Sequence, residues 1–475
     1  MMCMVNWHGF QSGGSHYCIH IPTLHVFETA EVITHVSGCK TCSQGQNPCR
    51  TALTEFGIKQ VRKARELLKA KDEGLNRRLD IADQPFEAPA SKTKNVFSPR
   101  RYSVNLVEDC NMRCRYCYAH YGRYSGQAAK MSPAMVNDCV SFIEENSDGN
   151  SNLEVEFGGG EPTLDRNLLN HFLAALDKMR NRNSAPRISL LTNGLALDQE
   201  IIQKLTARGA RIRISMDGNP EDHDRNRLDA AGRPTASRVM QSIGILARHL
   251  TPGPVNDLTV NVTCTRETSP IRAFEFLYDE LGVKHVVFNI VRDGKEPLDA
   301  KLAHDSVSLT RYAQEMSQLY ERLAAECTLG QLLSGGVPLP DLEGFWKTLL
   351  FNDAHMNICQ AGTGILNITV DGHLLPCEVL NIFGSDFYLG SLQTGLDSKR
   401  LAEFRNRITE YYQTCRNCWA RTLCRSGCLI DYLQGKSRLY CSLYRQLCEA
   451  ALKSYVTFRG KENFPTLQES SIDSA

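Results

Sequence analysis

The stretch from residue 104 to residue 118, VNLVEDCNMRCRYCY, decides how the rest of this chain is read. Its first part closes a strand predicted over Tyr102 to Val107, and its second part sets Cys110, Cys114 and Cys117 at CxxxCxxC spacing directly after that strand. Three thiolates of one loop at this spacing can wrap three irons of a cubane and leave the fourth iron open to a ligand. A zinc knuckle, or three unconnected thiols, is the bland alternative. The position after a strand and before an aromatic-rich loop favours the cluster.

Outward from this loop, short apolar runs alternate with helical patterns. They predict strands over Tyr102 to Val107, Leu153 to Phe157, Arg187 to Thr192, Arg211 to Met216, Leu258 to Cys264 and Lys284 to Ile290. Six strands alternating with helices imply an α/β fold with a parallel sheet, a β/α barrel or partial barrel. The helices carry their own signals. Ser132 with Pro133 opens one, and Asp198 caps another whose Ile201, Ile202 and Leu205 face the core before Gly209 ends it. Reactive groups in such a barrel sit after the C-terminal ends of strands, where Cys110, Gly159 to Pro162, Asn193 and Asp217 fall.

On these residues the chain resembles the radical S-adenosylmethionine (AdoMet) superfamily, whose CxxxCxΦC signature is matched by Cys110, Cys114, Tyr116 and Cys117. The resemblance implies a partial (β/α)6 radical SAM barrel. It also implies that the open iron chelates the amino and carboxylate groups of AdoMet and that one electron cleaves the sulfonium to a 5'-deoxyadenosyl radical. Gly159, Gly160, Glu161 and Pro162 are similar to the family's GGEP motif, whose carbonyls and carboxylate accept from the bound amino group; glycine permits that close approach. Ser215, Asp217, Gly218, His223, Asp224 and Arg227 are similar to the family's S-x-D-G…H-D…R pattern. By resemblance Ser215 binds the ribose, Arg227 pairs with the substrate carboxylate, and Asp217 is a cofactor contact or a structural group. Tyr116 lies near the adenine through its backbone, with Asn193 a candidate for the same pocket.

Nineteen cysteines are too many for a reducing compartment unless metal or chemistry claims them. Eight fall between Cys359 and Cys448, a stretch with little periodicity outside hairpin-like pieces such as Gly364 to Leu375, so metal staples are expected there. Cys359, Gly372, Cys377, Cys415, Cys418, Cys424, Cys428 and Cys441 match the seven-cysteine SPASM pattern, of which a zinc ribbon explains only four thiols. By resemblance Cys415, Cys418, Cys424 and Cys441 ligate an outer auxiliary cluster, and Cys359, Cys377 and Cys428 an inner one. With the cluster on Cys110, Cys114 and Cys117 that makes three [4Fe-4S] clusters. The inner site lacks a fourth thiolate: Asp353 stands where sulfatase-maturing relatives have cysteine, and Cys327 or an open iron are the alternatives. Glu378 follows Cys377 where those relatives carry an aspartate base, and is named as a base for the same reason.

The expected organisation is a peptide-recognition-like module over 1–95, the core over 100–300, a bridging helix and linker over 301–350 (helix Thr310 to Ala325, then Gly335 to Pro340), the SPASM domain over 351–450 and a polar tail over 451–475. In the first module, His16 to Ile21, Leu24 to Phe27 and Val32 to Val36 read as strands and Leu53 to Ala70 as a helix. Cys18, Cys39, Cys42 and Cys49 stay unassigned, and Cys139, Cys264 and Cys327 read as buried hydrophobes. Net charge is +1 and no basic stripe stands out, so no nucleic-acid partner is expected. No signal peptide and no run of ~18 apolar residues is seen, so a cytoplasmic protein without a membrane partner is expected.

The layout resembles maturases of ribosomally made peptides, among them the thioether-forming maturases for ranthipeptides and for the quinohemoprotein amine dehydrogenase small subunit. That resemblance implies a polypeptide substrate with a leader segment, a thioether crosslink from cysteine sulfur to carbon, and an electron donor such as flavodoxin or ferredoxin. The alternatives are an anaerobic sulfatase-maturating, formylglycine-forming enzyme, and a non-catalytic iron-sulfur or zinc protein.

Overall fold

The structure is a computed structural model that describes residues 6–37, 60–64, 66–72, 99–124, 126–147, 152–179, 185–249, 258–292, 299–352, 359–415, 418–424 and 427–460. Asp353, Cys39, Cys42, Cys49 and the tail beyond 460 lie outside the described residues.

The N-terminal module is an antiparallel sheet of β1 (Trp7–Ser12), β2 (Ser15–His20) and β3 (His25–Thr29). Gly13 and Gly14, at φ +52° and +78°, make the two-residue turn between the first two strands. β1 is a strand that the apolar pattern did not announce. The strand expected over Val32 to Val36 is instead part of a helix, Glu31–Ser37. Its β-branched residues favour a strand in isolation, but Ile33 and Val36 pack on the sheet with Trp7, Cys18, Phe27, Val61, Ala64, Leu67 and Leu68. Gly9 lets this helix close on β1, because a Cβ there would lie 2.2 Å from the Thr34 carbonyl oxygen. Residues 60–64 and 66–72 are helical as expected. Alternate β2 residues Tyr17 and Ile19 face the other way and join the main core.

All six expected core strands are present: β4 (Arg101–Glu108), β6 (Glu154–Gly159), β7 (Arg187–Thr192), β8 (Arg211–Ser215), β9 (Thr259–Cys264) and β10 (His285–Ile290). They lie in that order, every neighbour parallel, with the two-residue β5 (Ala129–Lys130) beside β4. Both faces are covered, so Val104, Leu106, Val155, Phe157, Leu190, Ile212, Ile214, Val260 and Val262 are all buried. Side chains of Ser132, Asp165, Asp198, Asn219 and Ser269 cap the helices that follow the strands.

β10 does not close on β4. The free side of β4 pairs instead with β11 (Ile365–Ile368) of the C-terminal region, in parallel, and β11 turns back into antiparallel β12 (His373–Leu375). One sheet thus runs from the core into the cysteine-rich domain. The bridging helix is longer than expected, Ser306–Glu326, and the expected linker is a short turn between helices Leu329–Ser334 and Pro340–Leu350. The expectation of little helix beyond Cys359 is corrected by helices Ser398–Gln413 and Ser437–Arg459. Trp346 anchors the second of these, donating from Nε1 to Ser454 Oγ at 3.1 Å. The N-terminal sheet docks on the cysteine-rich domain through His8 stacked on Trp419, centroids 3.6 Å apart, and through Arg421 donating to Asn6 Oδ1 at 3.2 Å. Among the described residues no helix is long and apolar enough to cross a membrane.

Candidate active site

The loop after β4 coils tightly. His120, Tyr121 and Tyr124 all have positive φ, at 47°, 63° and 52°, a conformation costing non-glycine residues about 1–3 kcal/mol each and kept where surroundings impose it. Two glycines supply that constraint. A Cβ on Gly122 would lie 2.3 Å from Gly160 Cα, and one on Gly160 would lie 2.0 Å from the Asp109 carbonyl oxygen. The cysteine loop and the loop after β6 therefore pack backbone on backbone, which other residues would prevent.

Cys110, Cys114 and Cys117 are free thiols in this loop. Burial pushes Cys110 up to about 12, with Glu161, Cys114 and Cys117 adding to the rise, so the three sulfurs share one neighbourhood. N–H donors surround them: Met112 N and Asn193 Nδ2 each 3.4 Å from Cys110 Sγ, and Tyr121 N 3.2 Å from Cys117 Sγ. Arg227 Nη1 lies 3.9 Å from Cys114 Sγ. Cys114 is pushed up to about 12 by burial, against the pull of Arg227. Such donors suit cluster-ligating thiolates, whose charge they offset. Among the described residues no three His, Cys, Asp or Glu side chains converge on a single-ion geometry; in a cubane each thiolate binds its own iron, and the sulfurs stand apart.

Glu161 is fully buried and already engaged. Its Oε1 accepts from Thr163 Oγ1 at 2.5 Å, Thr192 Oγ1 at 2.7 Å and Thr163 N at 3.1 Å, and its Oε2 from Asn193 N at 2.7 Å. Burial raises its pKa while these donors lower it. The carboxylate ties the turn at Pro162 to the end of β7. Asn193 carries the tie onward, its Nδ2 donating to Asn111 Oδ1 at 2.7 Å besides facing Cys110, so this residue borders the cluster loop itself.

Beneath the loop lies a buried charged knot. Tyr116 donates its hydroxyl to Asp217 Oδ2, and Arg227 Nε sits 3.0 Å from the same oxygen as an ion pair rather than an aligned hydrogen bond. Asp217 Oδ1 accepts from Thr263 N at 2.9 Å, and Arg227 Nη2 donates to Thr263 Oγ1 at 3.1 Å. Burial opposes the charge on Arg227, and Asp217, Tyr116 and Cys114 outweigh it. His223 completes the knot: its Nδ1 accepts from Asp217 N at 3.3 Å and its Nε2 donates to Thr235 Oγ1 at 2.9 Å, which donates to the Arg227 carbonyl at 2.6 Å. Burial drops His223 to about 4. Ser215 is half-buried at the end of β8.

Glu378 joins the two halves of the molecule. Its Oε1 accepts from Tyr124 at 2.9 Å, Gly159 N at 3.2 Å and Tyr118 at 3.3 Å, and its Oε2 from Ser103 Oγ at 3.3 Å. Gly158 makes room, since a Cβ there would lie 3.0 Å from Oε2. All four partners donate, so the group is held as an acceptor, while burial and Glu156 push its pKa up. Tyr118 and Tyr124 were missed in the sequence; the aromatic run of the cysteine loop was their only signal. Tyr118 feels both Cys117 and Cys377, so it stands between the two thiol groups.

The cysteine-rich domain sorts its thiols into two neighbourhoods. Cys377 is raised by burial and then by Cys359 and Cys428. Cys415, Cys418, Cys424 and Cys441 line one cavity of about 580 Å³ that Arg421, Arg438 and Arg445 also border. This donor set, thiols around a void with cationic neighbours, fits an iron-sulfur cluster. Cys327 does not join the inner group, because its charged neighbours are Glu326 and Glu343. Cys18, Cys139 and Cys264 are buried.

Residues 104–264 match the Radical SAM superfamily, and residues 359–419 match SPASM, an iron-sulfur cluster-binding domain. A cysteine-type anaerobic sulfatase-maturating enzyme of Clostridium novyi (strain NT) is 25% identical over 339 residues, 67% of this chain and 85% of that enzyme. An AdoMet-dependent heme synthase of Methanosarcina barkeri (strain Fusaro / DSM 804) is 26% identical over 373 residues, 73% of this chain and 97% of that one. In fold, the chain is similar to native anSMEcpe with bound AdoMet, at TM-score 0.61 and 20% identity, covering 75% of this chain and 98% of that structure.

Proposed function

We propose that this radical SAM/SPASM-domain enzyme, related to the sulfatase maturases, oxidises a side-chain carbon of a polypeptide by two electrons. The observation that carries the reading is the place of Glu378, beside Cys377 and under the cysteine loop, inside its ring of donors. When bound, the cluster and AdoMet supply a 5'-deoxyadenosyl radical that takes one hydrogen atom from unactivated carbon. Cys110, Cys114 and Cys117 would hold that cluster, and Gly159, Gly160, Glu161 and Pro162 would shape the wall against the AdoMet amino group. Ser215, Asn193, Tyr116, Asp217 and Arg227 line the remainder of the pocket or brace it. The C-terminal thiols would hold auxiliary iron able to take one electron from the substrate, and Glu378 takes its proton, so that with the abstracted hydrogen atom the substrate has lost two hydrogens in all. A flavodoxin or ferredoxin supplies the electron that starts each turnover. With a serine side chain the product is a formyl group directly; with a cysteine side chain it is a thioaldehyde, which water converts to the formyl group with release of hydrogen sulfide, and the similarity to sulfatase-maturating enzymes supports this outcome.

Thioether formation is the second reading, in which a substrate cysteine sulfur gives its proton to a base and bonds to the carbon that lost the hydrogen atom, and the surplus electron would pass to the auxiliary iron. The N-terminal module favours it. Its sheet lies outside both matched domains, and its edge strands β1 and β3 offer backbone for a leader segment to pair with.

The test is anaerobic turnover of cysteine-containing peptides with AdoMet and reductant, wild type beside Glu378→Gln. We expect both proteins to make 5'-deoxyadenosine, with product formation by the variant lower by about 10²–10⁴. Loss of two hydrogens with sulfur retained and the thiol blocked marks a thioether; loss of sulfur marks the formyl product. Absence of 5'-deoxyadenosine from wild type would end both readings.

A further inference from the structure

The seven-thiol pattern leaves one cysteine of the C-terminal domain over. Cys448 sits on helix Ser437–Arg459 seven residues after Cys441, which puts both on nearly the same side of the helix. A fully buried helical thiol is ordinarily a small hydrophobe. Two observations set this one apart. Cys424 and Cys418 are its sulfur neighbours on the side of the outer thiols. It also lines a cavity of about 360 Å³ with Cys359, Cys424 and Cys428. Cys424 is therefore on the walls of both thiol-lined cavities.

We propose that Cys448 is the eighth thiolate of the auxiliary clusters. It joins Cys359, Cys377 and Cys428 at the inner cluster, whose cavity it lines, and Cys424 stays with Cys415, Cys418 and Cys441 at the outer one. Eight thiolates are what two fully ligated cubanes need. Each thiol gives its proton to solvent as it binds iron, and no electron moves. The placement supplies the fourth thiolate that Cys359, Cys377 and Cys428 lack, while the outer cavity already has four. It rests on the reading that the C-terminal thiols hold clusters. Its functional consequence is that both auxiliary clusters are closed to substrate sulfur and serve in electron transfer, which favours the oxidation reading over a cluster-bound substrate thiolate.

The experiment uses the Cys110→Ala, Cys114→Ala, Cys117→Ala protein, reconstituted anaerobically, so that only auxiliary iron is read. About eight irons are expected, all in tetrathiolate-type sites by Mössbauer spectroscopy. Adding Cys448→Ser or Cys448→Ala should cost about one iron and give a three-iron signal on mild oxidation. Adding Cys424→Ser should disturb the other auxiliary signal, and Cys139→Ser, a buried helical thiol far along the chain, neither. Unchanged iron and spectra in the Cys448 variants overturn the proposal, as does a site-differentiated auxiliary iron in the parent, which needs no further variant. If the parent binds no iron, the cluster reading of the C-terminal domain fails with it; iron without response to Cys448 sinks the proposal alone.

Discussion

Replacing Asp217 by Asn should destabilise the core more than replacing Arg227 by Met, although each change breaks the same ion pair. The two side chains are 2% and 8% exposed, with Arg227 Nε 3.0 Å from Asp217 Oδ2. Removing one partner of a buried pair costs about 3–5 kcal/mol, because the other charge is left uncompensated. The two orphans differ in their remedies. Without Arg227, Asp217 keeps Thr263 N at 2.9 Å and the Tyr116 hydroxyl, both donating to it. Without Asp217, the guanidinium cannot shed its charge and keeps only Thr263 Oγ1, the Tyr116 ring and the Cys114 sulfur. Asp217→Asn therefore belongs at the upper end of the range and Arg227→Met at the lower. At about 2–4 °C per kcal/mol, the shifts in Tm of the core lie between about 6 and 20 °C. Thermal unfolding of cluster-free protein measures them, with the double variant included, which should recover part of the larger loss. Equal shifts, the reverse order, or two shifts under about 2 °C would refute the reasoning, since the pair would then be hydrated or relaxed.

His223 is held neutral at about 4, below its ordinary 6.5, so the unfolded chain takes up this proton first as pH falls. Its contribution is whole above about pH 6.5 and declines toward pH 4, by roughly 3 kcal/mol in total, and His223→Gln should flatten that part of the stability profile in pH-resolved denaturation. Gly160→Ala places a methyl 2.0 Å from the Asp109 carbonyl, where only backbone can yield. Reconstituted protein should then lose about four irons and all 5'-deoxyadenosine formation while keeping its auxiliary iron; full iron content would show that the two loops do not need this approach.

The core and its chemistry were legible because both are written locally. A strand buried on both faces needs a continuous apolar run, as at Leu258 to Cys264, and a loop that offers three thiolates needs them within a few residues. The helix at Glu31–Ser37 was not legible, because its β-branched sequence favours a strand and only contact with the sheet reverses that preference. Nor was the length of helix Ser437–Arg459 seen behind the cysteines. What tertiary structure alone decided are pairings between distant residues: β4 with β11, Asp217 with Arg227 across the Tyr116 hydroxyl, Glu378 with Ser103 and Tyr124, and Cys448 with Cys424. Local periodicity reports which face of an element is buried. It carries no record of which distant side chain meets that face, and that meeting sets where charge, protons and sulfur lie in this protein.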